Sequence, residues 1–235
     1  MIKYLFAALF LFPSFAIAQE SAKAPIVVEL FTSQSCSSCP PADKVLGELA
    51  DNNDHIIALS CNVTYWNHLH WEDTLSQEFC TQRQRGYVNS LESRGPYTPQ
   101  TVINGKYEMV GSRKNKVLNA IEKVDENEEL KNIKISLDKN NVTINLPALP
   151  QSQYIVTVLE HGARHTQSIP SGENRGRTVN YTNPVQNLEA LGTWGGNESA
   201  VNYEIKNSQD AKAIVVLIHD RNPTGPIVAA GKLAF

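Results

Sequence analysis

Beyond its first eighteen residues the chain has no apolar run approaching the roughly 20 residues a membrane-spanning helix needs. It also lacks a charge excess. Its 21 Lys and Arg stand against 24 Asp and Glu, giving a net charge of −3 and a pI near 6.1. That balance provides no electrostatic grip on nucleic acid or on an acidic membrane. Cysteine is scarce, at four residues, and only Cys36 and Cys39 are close in sequence, whereas Cys61 and Cys80 stand apart. A tetrahedral zinc site more typically shows two close pairs. No internal repeat or low-complexity tract is present, and nothing in the second half resembles a nucleophile–base–acid set.

What is present begins with Met1-Ile2-Lys3, an apolar run through Leu11, and Ala16-Ile17-Ala18 before Gln19. A basic start, a short hydrophobic core and small residues at a cleavage point predict a signal peptide over residues 1–18. No cysteine follows that point to take a lipid anchor. The mature product is therefore expected to be periplasmic or secreted, in a compartment where disulfides persist. Four cysteines allow three pairings. The spacing favours Cys36–Cys39 with Cys61–Cys80 and leaves zinc as the lesser alternative.

The most informative stretch runs from Ile26 to Ala50. Ile26 to Phe31 reads as an apolar strand, followed by a polar turn with Cys36-Ser37-Ser38-Cys39 and then a helix. Pro40 and Pro41 lack backbone donors and so suit a first helical turn. Ala42, Val45, Leu46 and Leu49 then mark one apolar helical face. Two cysteines delivered by a strand to a helix N-terminus suit thiol–disulfide chemistry, because unpaired amides and the helix dipole favour the thiolate. An inert local disulfide or half of a metal site are the alternatives.

Further along, His55 to Ser60 reads as a second strand and Thr74 to Leu91 as a second helix. In that helix Leu75, Phe79, Tyr87 and Leu91 face inward, with Gln82, Arg83 and Arg85 outward. Between them lies the aromatic-rich Asn62–Asp73 connection. Its His68 and His70 read as part of a solvated loop, since no carboxylate motif completes a metal site. Thr101–Ile103, Asn104-Gly105 and Lys106–Val110 form a hairpin, because Asn-Gly supplies the two positive φ angles of a type I′ turn. Ser112 then caps a helix with Val117, Leu118, Ile121 and Val124 on its buried stripe.

The order β-α-β-α, proline-led hairpin, α, with Cys-x-x-Cys after the first strand and Thr98-Pro99 before the hairpin, resembles the thioredoxin fold. The segments LFTSQSCSSCPPAD, RQRGY, YTPQTVING, GENRGRTVNYTNPV and LGTWGG together resemble an exported bacterial family, a domain of unknown function named DUF1223. The resemblance to thioredoxin-like proteins implies a cis Thr98–Pro99 peptide against the cysteine pair, with Thr98 offering its backbone to a substrate strand. One departure stands out. Where the family pattern has His-Val-Asp-Tyr-Trp, this chain has Asn62-Val63-Thr64-Tyr65-Trp66, so an acidic helper for the buried sulfur is missing there. Cys61 and Cys80 flank this stretch, and a bridge between them is favoured over two buried thiols.

From Asn132 the pattern alternates with period two: Ile133, Ile135 and Leu137, then Val142, Ile144 and Leu146. Strand-like runs follow at Tyr154–Glu160, Arg177–Tyr181, Val201–Lys206, Ala213–Asp220 and Ile227–Phe235, with Ala213–Ile218 apolar on both faces and therefore central. The Gly172–Arg177 loop reads as a tight turn, with an anion cradle or an arginine–carboxylate clamp as alternatives.

The expectation is an α/β thioredoxin-like domain over residues 19–128 followed by an all-β sandwich-like domain over 129–235. The expected function is an exported thiol–disulfide oxidoreductase acting on protein thiols or disulfides, or working with a redox partner. Cys36 and Cys39 are catalytic, Ser37 and Ser38 tune the thiolate, and Thr98 and Pro99 seat the substrate. Neither cofactor nor metal is expected. The alternative is a non-catalytic cell-envelope binding protein with a structural Cys36–Cys39 disulfide.

Overall fold

A computed structural model describes residues 24–127, 130–207 and 209–235; the expected signal peptide over 1–18 lies outside them. The first half contains β1 (Ile26–Thr32), α1 (Pro40–Asn52), β2 (Ile56–Asn62), α2 (Glu78–Ser90), β3 (Gln100–Ile103), β4 (Tyr107–Val110) and α3 (Lys114–Asn127). The second contains β5 (Lys131–Asn132), β6 (Lys134–Asp138), β7 (Asn141–Leu146), β8 (Tyr154–His161) and β9 (His165–Ser168). It continues with β10 (Thr178–Tyr181), β11 (Val185–Trp194), β12 (Ser199–Glu204), β13 (Ala213–Asp220) and β14 (Ile227–Ala234).

The alternation of β1 generates the layers. Ile26, Val28 and Leu30 point to one face, where Ala42, Val45, Leu46 and Leu49 of α1 and Val117, Ala120, Ile121 and Val124 of α3 cover them. Leu118, expected in that stripe, is 40% exposed and Ala120 takes its place. Val27 and Phe31 point the other way, with Ile57, Leu59 and Val102 from the strands beside them. The sheet order is β2-β1-β3-β4, with β1 parallel to β2 and antiparallel to β3. Asn104 and Gly105 turn the β3–β4 hairpin at φ 49° and 65°. A side chain at Gly105 would also collide with the carbonyl oxygen of Gly225, so glycine is required twice over.

The second face of this sheet overturns the expected fold class. It is covered by α2 and by a five-stranded sheet of order β11-β8-β13-β14-β5. Leu159, Val185, Val215, Leu217, Ile227 and Ala230 join Val27, Phe31, Cys61, Cys80 and Tyr87 in one apolar cluster. The remaining face of the five-stranded sheet packs on the sheet β12-β7-β6, and β13 divides accordingly, with Ile214, Val216 and Ile218 on that side. With three helices and fourteen strands among the described residues, the chain is a β-rich fold rather than an α/β thioredoxin-like domain joined to a sandwich-like one. The physical reason is what covers the first sheet. Local periodicity marks a face as buried without saying whether a helix or a sheet buries it. Fully burying a large apolar side chain is worth roughly 1.5–3 kcal/mol, so the shared cluster strongly opposes separating the halves.

Two further differences have local causes. The second helix begins at Glu78 rather than Thr74 because Asp73 ties up the intervening turn. Its Oδ1 accepts from the Leu75 amide at 2.8 Å and its backbone oxygen from the Ser76 amide at 3.1 Å. Arg83, expected to face solvent, is 5% exposed. Its Nε and Nη2 donate to Glu29 at 2.5 and 3.0 Å, and Nη1 donates to the Pro223 oxygen at 3.1 Å. Tyr87 donates to the same carboxylate at 2.5 Å, while Arg83 Nη2 lies 3.3 Å from His219 Nε2. Burial pushes the Glu29 carboxyl up, but the Arg83 charge and the bonds from Arg83 and Tyr87 outweigh it and hold Glu29 ionised. This bidentate pair sits between β1, α2 and β13 and joins the two halves.

Candidate functional site

At the C-terminal end of β1 the chain turns through Ser33–Ser38 and enters α1, whose N-cap is Cys39 and whose first residues are Pro40 and Pro41. Cys36 and Cys39 are both free thiols and both buried, at 5% and 0% exposure. The favoured Cys36–Cys39 pairing is corrected here: the pair is not bridged, and Cys36 lies nearly as deep as Cys39. Its surroundings are nonetheless polar. The Ser38 hydroxyl lies 3.3 Å from Cys36 Sγ, and the Thr98 hydroxyl donates to that sulfur at 3.1 Å.

These contacts split the two thiols. The Cys39 S–H bond to Cys36 lowers the Cys36 pKa most. Burial opposes it, and bonds from Ser38 and Thr98 add to the lowering, bringing Cys36 to about 6. Burial, then donation to and proximity of Cys36, push the Cys39 thiol far up. At neutral pH Cys36 is mostly thiolate and Cys39 is a thiol.

Thr98–Pro99 is a cis peptide. Thr98 is half-buried, Pro99 buried, and the Pro99 carbonyl accepts from the Gly111 amide at 3.0 Å. Gln84 of α2 steadies the turn, its Nε2 donating to the Tyr97 oxygen at 2.7 Å and to Gln100 Oε1 at 2.9 Å. Cys61 and Cys80 are bridged, tying the end of β2 to the first turn of α2. Ser38 touches the sulfur, whereas Ser37 does not. Ser37 is exposed, its carbonyl accepting from Arg177 at 3.3 Å and its amide facing Glu173 at 3.4 Å.

The loop at residues 172–177 is therefore more than a tight turn. Asn174, 1% exposed, donates through Nδ2 to the carbonyls of Gln34 and Cys36, each at 2.8 Å, and Arg177 donates to Asn174 Oδ1 at 3.1 Å. The clamp grips backbone carbonyls through an amide, not a carboxylate through an arginine. Across the turn, Asp73 Oδ2 accepts from the Gln34 amide and from Asn62 Nδ2, each at 2.8 Å.

A buried carboxyl does lie near the cysteine pair, on α1 and outside the Asn62–Trp66 stretch. Asp43, four residues after Cys39, is 2% exposed and neither carboxylate oxygen has a hydrogen-bond partner. Burial raises its pKa well above the usual range. The Thr32 hydroxyl opposes this from outside hydrogen-bonding geometry, and the nearby Cys36 and Asp73 charges push the same way as burial. Asp43 lines a cavity of about 380 Å³ between α1 and β10, with Gly47, Arg164 and Thr182. Its signal in the sequence was a charge beside Ala42 and Leu46 on an otherwise apolar face. Asn174 had no such signal. His68 and His70 are exposed, His68 stacking on Trp66 with ring centroids 6.3 Å apart. Among the described residues no group of three or more His, Cys, Asp or Glu is placed to hold a metal ion, and no helix is long and apolar enough to cross a membrane.

The family model DUF1223, described as a protein of unknown function, matches residues 27–219. The chain belongs to the DUF1223 family. Among solved structures, protein AGR_C_4864 from Agrobacterium tumefaciens is similar to this DUF1223 chain at 28% identity and a TM-score of 0.79. The match covers 90% of this chain and 95% of that one. HBP35 of Porphyromonas gingivalis shares the fold at 15% identity and a TM-score of 0.59, over 91% of this chain and 76% of its own. No curated protein matches the DUF1223 chain.

Proposed function

We propose that this DUF1223 protein is an exported thiol–disulfide oxidoreductase acting on protein thiols and disulfides, with Cys36 as nucleophile and Cys39 as resolving thiol. The observation that carries the reading is the placement of the Cys36 sulfur at the start of α1, 3.1 Å from the donating Thr98 hydroxyl and 3.3 Å from that of Ser38; with the Cys39 thiol beside it, these contacts draw Cys36 down to about 6 while burial holds Cys39 up. A pKa of 6 leaves about ten thiolates for each thiol at pH 7, close to the optimum for attack on a disulfide. The Cys36 thiolate attacks one sulfur of a substrate disulfide, forming a mixed disulfide and expelling the other substrate sulfur as a thiolate that takes a proton. Cys39 then gives up its proton to an expelled substrate thiolate or to water and attacks the Cys36 sulfur, forming the Cys36–Cys39 disulfide and releasing the second substrate sulfur as a thiolate. Two electrons pass from the cysteine pair to the substrate, and the reverse sequence oxidises a dithiol.

The Thr98 hydroxyl borders the Cys36 sulfur, and Thr98 with Pro99, joined by the cis peptide, would seat the substrate chain there. Export is supported by the leader-like first eighteen residues and by the Cys61–Cys80 bridge, a bond that persists in oxidising compartments. The test is insulin reduction with a thiol donor, run beside the pH dependence of Cys36 alkylation. Wild type is expected to reduce insulin and Cys36→Ser to lose that activity; equal rates would end the proposal.

A further inference from the structure

The Cys36 sulfur is one end of a hydrogen-bond chain that starts outside the cysteine loop. Trp66 Nε1 donates to Thr98 Oγ1 at 2.8 Å, and Thr98 Oγ1 donates to Cys36 Sγ at 3.1 Å. An indole N–H donates and never accepts, while a threonine hydroxyl has one proton and two lone pairs. Facing Trp66, the hydroxyl must therefore be an acceptor. Its own proton is left for another partner, and the sulfur is in reach. A hydroxyl that receives a hydrogen bond is also a stronger donor, because successive bonds polarise one another. We propose that Trp66 is a positioning residue that turns the Thr98 hydroxyl proton toward the Cys36 sulfur and so holds that sulfur as a thiolate.

The fold keeps Trp66 in place for this role. Its ring lies between Tyr65 and His68, at centroid distances of 5.5 and 6.3 Å. The Val63 amide donates to the Thr32 oxygen and the Thr64 amide to Thr81 Oγ1, each at 2.9 Å, and the Cys61–Cys80 bridge anchors the segment two residues before. The bridge, with no part in electron transfer, thus fixes the base of the segment that presents the indole. The other ionisable groups around the sulfur are Cys39 at the N-cap of α1, Asp43 within α1, Tyr65 of the aromatic loop and Tyr181 of β10. Glu173 and Arg177 reach Ser37. Exchanging Trp66 for phenylalanine replaces none of these side chains; it keeps a smaller aromatic ring beside Tyr65 and removes the indole donor.

The inference deepens the reading of Cys36 as nucleophile and rests on it. The decisive experiment measures Cys36 alkylation by iodoacetamide against pH in the reduced full chain, with the label located by mass spectrometry. Once Trp66→Phe frees the Thr98 hydroxyl to turn away, the charged sulfur loses that hydrogen bond, and the midpoint is expected to rise by about one pH unit, about a tenfold loss of thiolate below the midpoint. Thr98→Val should shift it at least as far, and adding Trp66→Phe to Thr98→Val should shift it no further. An unchanged midpoint in Trp66→Phe, or shifts that simply add, overturns the proposal. Should Trp66→Phe fail to fold, the wild-type indole N–H resonance decides. It should titrate with the Cys36 midpoint and cease to do so in Thr98→Val; a resonance flat from pH 5 to 8 overturns the idea. A wild type that shows the coupled titration but no insulin reduction would remove the oxidoreductase reading and leave the role of Trp66 standing.

Discussion

Replacing Asn174 by alanine should loosen the cysteine loop without unfolding the protein. Asn174 reaches from the second half to the carbonyls of Gln34 and Cys36 with two bonds of 2.8 Å and is 1% exposed. The Cys36 carbonyl keeps the Cys39 amide, at 3.1 Å, when the side chain is removed, so the heavier loss falls at Gln34. At about 0.5–1.5 kcal/mol per buried hydrogen bond, the two bonds contribute about 1–3 kcal/mol to closure of the loop. That corresponds to about 5- to 150-fold more frequent opening. Hydrogen exchange read by mass spectrometry should show residues 33–38 exchanging faster by that factor, while β13 is unchanged. Asn174→Asp should act more strongly, because it sets a carboxylate oxygen against two carbonyl oxygens. Uniform acceleration across the chain, or none in residues 33–38, would refute the assignment of Asn174 as the clamp.

Arg83→Met should cost about 3–5 kcal/mol in urea unfolding, because it strands the Glu29 carboxylate among apolar side chains, and Glu29→Met with Arg83→Met should recover most of that. The buried imidazole of His219 gives an acid-side signature. Burial and then the Arg83 charge lower its pKa to about 3 from 6.5. The unfolded chain thus binds a proton there that the folded chain refuses, and His219 contributes stability that is complete above pH 6.5 and lost as pH falls toward 3. Asp43 and Asp73, whose carboxyls are held above their ordinary range mainly by burial, bind extra protons in the folded state and oppose the loss. His219→Asn should therefore flatten the fall in stability between pH 6.5 and 4.5, by up to about 1.4 kcal/mol per pH unit. An unchanged slope would show that His219 is not the group refusing the proton. Replacing Cys61 and Cys80 by alanine opens a loop with a sequence separation of 19, and thermal or urea unfolding should report a loss of about 3 kcal/mol.

What was legible in the sequence has short-range physics behind it. Pro40 and Pro41 opened α1 because only a first turn tolerates their missing donors, and Asn104-Gly105 turned the β3–β4 hairpin through two positive φ angles. Ala213–Asp220 read as a strand, apolar on both faces through Ile218, and lies in the middle of its five-stranded sheet. Three strands were missed for equally local reasons, β5 because it is only the two residues Lys131–Asn132. β9 is four largely polar residues, and β11 has register breaks between Val185 and Asn187 and between Ala190 and Gly192, which destroy the period of two.

The errors at larger scale share one cause. Arg83 looked outward because charge on a helix ordinarily means solvent, and Glu29 passed as one residue of an apolar strand; only their meeting across β1 and α2 makes either position intelligible. The same holds for the fold class, where a face marked for burial met a sheet instead of further helices. By itself the chain determined the strand–turn–helix from Ile26 to Ala50, the two sulfurs one turn apart within it and the apolar face of α1, because each depends on neighbours within a few positions. Which layers meet, that Asn174 holds the cysteine loop, and that Trp66 and Thr98 converge on Cys36 came only with the tertiary structure. Those contacts join segments 32 to 140 residues apart, and no local pattern encodes a partner at such a distance.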